Sequence, residues 1–355
     1  MQFGISIYVG LDNTLDENLN LIHLAHQHHI QRIFTSLHIP ETNLNSFKQD
    51  LAQILALARK YNMEVISDIS PNTLTILGMD KLNIKELLSL GITTLRLDFG
   101  YSAQEIADLS NNNIKLQFNA STITAEFLEE LKAYHTNFKQ IDALHNFYPR
   151  EGTGLNIEKF IAQNKLLHEY NISIGAFVPS YNKPRSPFKR GLPSLECHRY
   201  LPASVAMQHL KLLGIDSIFI GDSLPTKEEL TAFSYLNEDY TLLNIKPLTH
   251  NQDILTILNK NYFTVRIDDA DTAIRTQESR MLFKNVHISP EYITSRKIGD
   301  ITLDNIFYAR YMGELEIITT TLLQDNKINT IAKLLPHDLI LLPYLKANTK
   351  FKFKF

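Results

Sequence analysis

Strand-like and helix-like stretches alternate eight times before residue 222, and this rhythm constrains the fold more than any other property of the chain. The strand-like runs are Phe3–Val9, Arg32–Leu37, Glu64–Asp68, Thr93–Asp98, Ile114–Asn119, Gln140–Leu144, Ser173–Phe177 and Ser217–Gly221. Strands alternating with helices make parallel sheets through right-handed crossovers. Eight such units in roughly 230 residues favour closure into a (β/α)8 barrel over an open sheet. The helix signals agree. Leu51, Leu55 and Ala58 make an apolar stripe at helical spacing between Asn45 and Asn62. Ser102 with Glu105, and Thr226 with Glu229, have the spacing of a capping box, in which each side chain bonds the other's free N–H. Gly91 and Gly214 stand where a helix would end in a left-handed residue just before the next strand.

After about Tyr240 the rhythm changes. A helix pattern persists within Leu243–Asn259, and then β-type runs dominate: Phe263–Ile267, Ala273–Gln277, Asp300–Leu303, Glu314–Thr320 and Leu339–Leu342. Asp304-Asn305 reads as a turn. The tail Lys350–Phe355 reads as a frayed or strand-like terminus. The expected fold class is α/β: a TIM barrel over residues 1–238, followed by a small β-rich domain over 239–355.

Composition removes several function classes. A net charge of −3 leaves no basic footprint for nucleic acid. No run approaches about 18 apolar residues, so no membrane-spanning helix is expected. The start, MQFGISIYVG, lacks the basic and apolar regions of a signal peptide, and cytoplasmic residence is the resulting expectation. The single cysteine, Cys197, excludes an internal disulfide and a cysteine-based zinc site, and is expected to be a buried structural thiol. No cofactor and no metal are expected. Assembly into a homo-oligomer stays open.

Barrel enzymes build their sites from the carboxyl ends of several strands. The ends of these runs, and the residues just beyond them, hold four carboxylates, Glu41, Asp68, Asp98 and Asp222, together with His38, Asn119, His145 and Asn146. Each alone could be a turn or cap residue. Together they form a polar set at one end of a closed barrel. Crowded carboxylates repel, so one keeps its proton while another ionises. That supplies the acid and the base or nucleophile that glycosidic bond cleavage requires. Asp98 and Glu41 are the leading pair, with Asp68 and Asp222 in reserve. Asn119, His145 and Asn146 suit sugar hydroxyl and amide groups. The long loop from Pro179 to Pro193 carries Lys183, Arg185, Lys189 and Arg190, and with Arg150 it could bind a phosphate. A phosphosugar isomerase or aldolase and a non-catalytic sugar-phosphate binding protein are the alternatives. A Schiff-base aldolase needs a strand-end lysine, and none is found.

Several motifs point one way: Phe34-Thr35-Ser36-Leu37-His38-Ile39-Pro40-Glu41, His145-Asn146-Phe147-Tyr148-Pro149-Arg150, Gly191-Leu192-Pro193 with Glu196, Ser279-Arg280, Gly299-Asp300-Ile301-Thr302 and Tyr311-Met312-Gly313-Glu314. Together they resemble the bacterial 6-phospho-N-acetylmuramidase family, formerly labelled outer surface proteins. The resemblance runs in order over nearly the whole chain. It implies a TIM barrel with a C-terminal cyclophilin-like domain. It also implies hydrolysis of the β-1,4 bond in 6-phospho-N-acetylmuramyl-N-acetylglucosamine during cell-wall recovery. The partner would then be this phosphorylated disaccharide. On this reading His38, Asn119, His145, Asn146 and Tyr148 meet the sugars, and Arg150, Arg185 and Lys189 receive the phosphate. Arg280 would lie at the rim of the pocket. The chain departs from the family pattern at Glu151-Gly152.

Overall fold

The computed structural model describes residues 1–37, 46–68, 79, 82–97, 100–268 and 270–355. These divide into two compact units, Met1–Ser234 and Tyr235–Phe355.

In the first unit, eight parallel strands close on themselves in sequential order. They are β1 (Gln2–Ser6), β2 (Arg32–Thr35), β3 (Glu64–Asp68), β4 (Thr94–Leu97), β5 (Lys115–Asn119), β6 (Ile141–Leu144), β7 (Ser173–Val178) and β8 (Ser217–Ile220). Closure is direct: Phe3 of β1 lies opposite Ile218 of β8. The described helices between them are α1 (Leu15–Gln27), α2 (Phe47–Lys60), α3 (Ile84–Leu90), α4 (Ala103–Ser110), α5 (Ala125–Ala133), α6 (Ile157–Glu169) and α7 (Ala203–Leu212), and α8 (Lys227–Leu236) comes after β8. Leu51, Leu55 and Ala58 bury the inner face of α2. Ser102 and Glu105 form the capping box of α4. The Thr226 amide donates to Glu229 Oε2 at 2.8 Å, and the Glu229 amide returns to Thr226 Oγ1 at 3.2 Å. Gly91 ends α3 at φ +106°, and Gly214 has φ +77°, so both take the left-handed turn that favours glycine.

Alternate residues of each strand point inward and form layers. The amino-terminal layer is polar. Arg32 bonds Glu64 at 3.0 Å and Asp142 at 2.5 Å, and Gln117 donates to Asp142 at 2.8 Å. The two carboxylates balance the buried Arg32 charge, as a charge in a core requires, while Arg32 Nε and Gln117 Oε1 have no hydrogen-bond partner among the described residues. The next layer is aromatic and aliphatic: Tyr8, Phe34, Ile66, Leu144, Phe177, Leu192 and Phe219 form one buried cluster. Above it stand Ser36, Asp68 and Asn146, two residues beyond Phe34, Ile66 and Leu144.

The second unit is a seven-stranded mixed sheet in the order β10-β15-β9-β14-β12-β13-β11. Its strands are β9 (Tyr240–Pro247), β10 (Phe263–Thr264), β11 (Ala273–Arg275), β12 (Asp300–Asp304), β13 (Leu315–Ile318), β14 (Ile328–Leu334) and β15 (Lys350–Lys354). Helices α9 (Gln252–Lys260) and α10 (Ser279–Leu282) interrupt it. The tail is a full strand, parallel to β9 and antiparallel to β10. Leu339–Leu342 is not the expected strand but part of a 3-10 helix, Pro336–Tyr344. Asp304 closes β12, and the Asn305 side chain caps the next 3-10 helix by accepting the Phe307 amide at 3.0 Å.

Candidate active site

The carboxyl end of the barrel has an aromatic floor. Phe34 meets Phe177 at 5.3 Å between ring centroids, and Phe147 meets Phe177 at 5.1 Å, both edge to face. Tyr8 is buried, and its hydroxyl donates to the Gly221 carbonyl at 2.7 Å. Two arginines lie on this floor. The Arg96 guanidinium sits 5.8 Å over Phe34, donates to the Leu144 carbonyl at 3.1 Å and to Asn146 Oδ1 at 2.5 Å. The Arg185 guanidinium sits 4.9 Å from both the Tyr8 and Phe147 rings. Its Nε is buried without a hydrogen-bond partner among the described residues. A guanidinium held by two ring faces and left with open donors is suited to an incoming anion.

Of the four carboxylates expected to meet here, Glu41 and Asp98 lie outside the described residues, as does His38. Asp68 is at the mouth, at the end of β3, where it accepts from Ser36 Oγ at 2.5 Å and from the Leu37 amide at 2.9 Å. Asp222 is a correction. Its side chain is fully buried. Its Oδ2 accepts the Ser180 and Leu192 amides at 2.9 and 3.0 Å, and its Oδ1 accepts the Arg185 amide at 3.0 Å. Burial pushes this carboxyl up to about 6 against the lowering effect of the three amides. That is the proton affinity of a general acid, but both oxygens are spent on backbone. Asp222 anchors the β7 loop that delivers Arg185.

His145 is a second correction. Its ring is buried against Phe160 at 4.4 Å, with Nδ1 3.2 Å from Ser121 Oγ and Nε2 2.8 Å from Asn164 Oδ1 on α6. Asp142, Leu144 and Asn146 take the inward parity, so His145 packs outward against α6. Burial drives it down to about 4. A histidine with a folded value below its unfolded value of about 6.5 costs stability as pH falls through that window, because the unfolded chain binds the proton first. Between pH 7 and 5 the wild type should therefore lose more of its melting temperature than His145→Gln. Parallel curves in a thermal melt series would reject the neutral buried assignment.

Asn119 uses its Oδ1 on the Ser121 amide at 3.0 Å and lines a cavity of about 240 Å³ with Leu97, Tyr101, Phe118 and Phe127. Tyr148 is half-buried, whereas Arg150, Lys189 and Arg190 are exposed. Glu151, at the departure from the family pattern, pairs with Arg190 at 3.6 Å. In the second unit, Arg280 pairs with Glu314 at 3.1 Å and lies 5.8 Å over the Tyr311 ring. Cys197 is exposed rather than buried, the third correction. It carries ligand-type atoms within 4.8 Å of those of His198 and His209. The two imidazoles already hydrogen bond each other at 2.8 Å, and although the residue is exposed, partial desolvation of its sulfur, then Glu196, raise the thiol to about 11, which opposes the thiolate a metal needs.

Sequence reasoning passed over Arg96, Tyr8 and Asp12. Arg96 was legible, since it shares inward parity with Thr94. Asp12 accepts from the Ser186 hydroxyl at 2.6 Å and amide at 2.9 Å, and so ties the β1 loop to the β7 loop.

The N-terminal profile of 6-phospho-N-acetylmuramidases matches residues 3–235, and the C-terminal profile matches 241–354. The chain belongs to the 6-phospho-N-acetylmuramidase family. Two solved structures resemble it over its full length. An uncharacterized B. cereus protein is 27% identical at a TM-score of 0.87, covering 100% of this chain and 99% of its own. A conserved Enterococcus faecalis protein of unknown function is 32% identical at 0.80, covering 100% and 96%. No curated protein matches the chain. No helix among the described residues is long and apolar enough to cross a membrane.

Proposed function

We propose that this protein hydrolyses the β-1,4 bond of 6-phospho-N-acetylmuramyl-N-acetylglucosamine in the cytoplasm, as a step of cell-wall recovery. The observation that carries this reading is the family match across both units, residues 3–235 and 241–354. The barrel mouth supports it chemically. Aromatic faces suit the apolar faces of a sugar, and Arg185 offers donors to the 6-phosphate. Arg150 and Lys189, on the neighbouring loops, add positive charge. Asn146, turned by Arg96, and Asn119 and Tyr148 serve the sugar hydroxyls and the N-acetyl group. Asp98 and Glu41 are the reacting carboxylates, and Asp68 is the third acid at the mouth. Asp98 follows Arg96 by two residues in the sequence. A route in which the substrate's own N-acetyl oxygen attacks is compatible with the same residues. The second unit carries the cyclophilin-like reading.

The test is direct. Incubation with the phosphorylated disaccharide should release N-acetylmuramic acid 6-phosphate and N-acetylglucosamine, resolved by chromatography and mass. Recovery of intact disaccharide under all conditions would defeat the proposal.

A further inference from the structure

One buried side chain organises the loops that carry the basic residues, yet carries none of the expected chemistry itself. Arg199 is 1% exposed. Its Nη1 donates to the carbonyls of Arg190 at 3.1 Å and Gly191 at 3.2 Å. Its Nη2 donates to the carbonyls of Tyr148 at 2.9 Å and Arg150 at 3.2 Å. Its charge is matched by Glu196, whose Oε1 and Oε2 lie 2.6 Å from Nε and 2.7 Å from Nη2. Glu196 in turn accepts the Gly152 amide at 2.9 Å and the Gly154 amide at 2.7 Å. The fit leaves no slack: a Cβ on Gly154 would fall 2.5 Å from Glu196 Oε2 and 2.8 Å from its backbone nitrogen. The hydrogen bond from Arg199, helped by the two amides, holds the Glu196 carboxyl down at about 2.

The geometry therefore joins two loops that sequence separates. Residues 148–154 lie beyond β6, and residues 190–191 close the β7 loop. The backbone of Arg150 and that of Arg190 are gripped by one guanidinium. Asp222 fixes the backbone of Arg185 from the other side. We propose that the Glu196–Arg199 pair is a positioning device for phosphate recognition, setting the spacing of the basic loops after β6 and β7. The inference rests on the reading of the substrate as a phosphosugar. A rigid planar fork is required, because its five N–H groups serve four carbonyls and two carboxylate oxygens, with one Nη2 hydrogen shared. Lysine keeps the charge but offers three donors from a point, so it cannot hold both loops.

Arg199→Lys and Glu196→Gln test this in the full chain. Each is compared with wild type for KM and kcat on the phosphorylated disaccharide. Calorimetry gives Kd for N-acetylmuramic acid 6-phosphate and for unphosphorylated N-acetylmuramic acid. The expected result for Arg199→Lys is a rise in KM and in the phosphosugar Kd of roughly tenfold to a hundredfold, the scale of a small misplacement. Turnover at saturation stays within about threefold, and affinity for the unphosphorylated sugar is unchanged. An equal loss for both sugars, a fall in kcat at constant KM, or no change would each overturn the proposal. Should Arg199→Lys not fold, Glu196→Gln is judged by the same criteria. A wild type that binds the phosphosugar but does not cleave the disaccharide sinks the proposed activity alone, and the Kd values still decide the positioning role. A wild type that binds no phosphosugar removes both.

Discussion

Asp222→Ala should lower the melting temperature of the barrel by roughly 10 °C, on the usual few degrees per kcal/mol for a unit of this size. The cause is local. The substitution strands the Ser180, Arg185 and Leu192 amides, all now paired to one carboxylate. A buried donor left without an acceptor costs about 1–3 kcal/mol. Against this stands relief from burying the carboxylate, which is what raises its proton affinity to about 6. The net loss is on the order of 3–5 kcal/mol when the loop relaxes only in part. Differential scanning calorimetry reads it. Asp222→Asn, which keeps one acceptor oxygen, should fall between wild type and Ala. Equal melting temperatures for all three would show that the three amides find other partners and that Asp222 is not an anchor.

Asp98→Asn should reduce kcat by on the order of a thousandfold, the middle of the range for removing a proton-transfer or nucleophilic carboxylate. Folding should be unaffected, with the melting temperature within a degree or so of wild type, because Asn is nearly isosteric with Asp. Pairing this measurement with Asp222→Ala separates two carboxylates that look alike in sequence: one loss appears in turnover, the other in stability. Unchanged turnover in Asp98→Asn would remove Asp98 from the mechanism and pass the role to Asp68 or Glu41.

The barrel was readable because its strands and helices differ in period, and because Ser102, Thr226, Gly91 and Gly214 punctuate them with turn and cap chemistry. The second unit was harder. All but one residue of β14, Ile328–Leu334, is buried, so the strand shows no alternation of apolar and polar positions. β9 ends at Pro247 and α9 begins at Gln252, and the apolar residues of both fall within Leu243–Asn259, where they read as one helix pattern. Leu339–Leu342 is an apolar run of strand length, but Pro336 and Pro343 bound it, and the backbone takes a 3-10 path. Within the site, parity was the unused signal. Counting by two from Asp142 separates Asn146, which faces Arg96, from His145, which faces α6. The Arg199 hub had no such signal. Apart from Glu196, its acceptors are main-chain carbonyls from residues 148 to 191, and backbone atoms leave no trace in residue type.

The order of strands also bears on how each sheet is completed. β1 to β8 all lie within the first 220 residues, so closure of the barrel needs no strand of the second unit. The last strand, Lys350–Lys354, is inserted between β9 and β10 rather than laid on an edge. Loss of Lys350–Lys354 would therefore expose the flanks of both β9 and β10 at once.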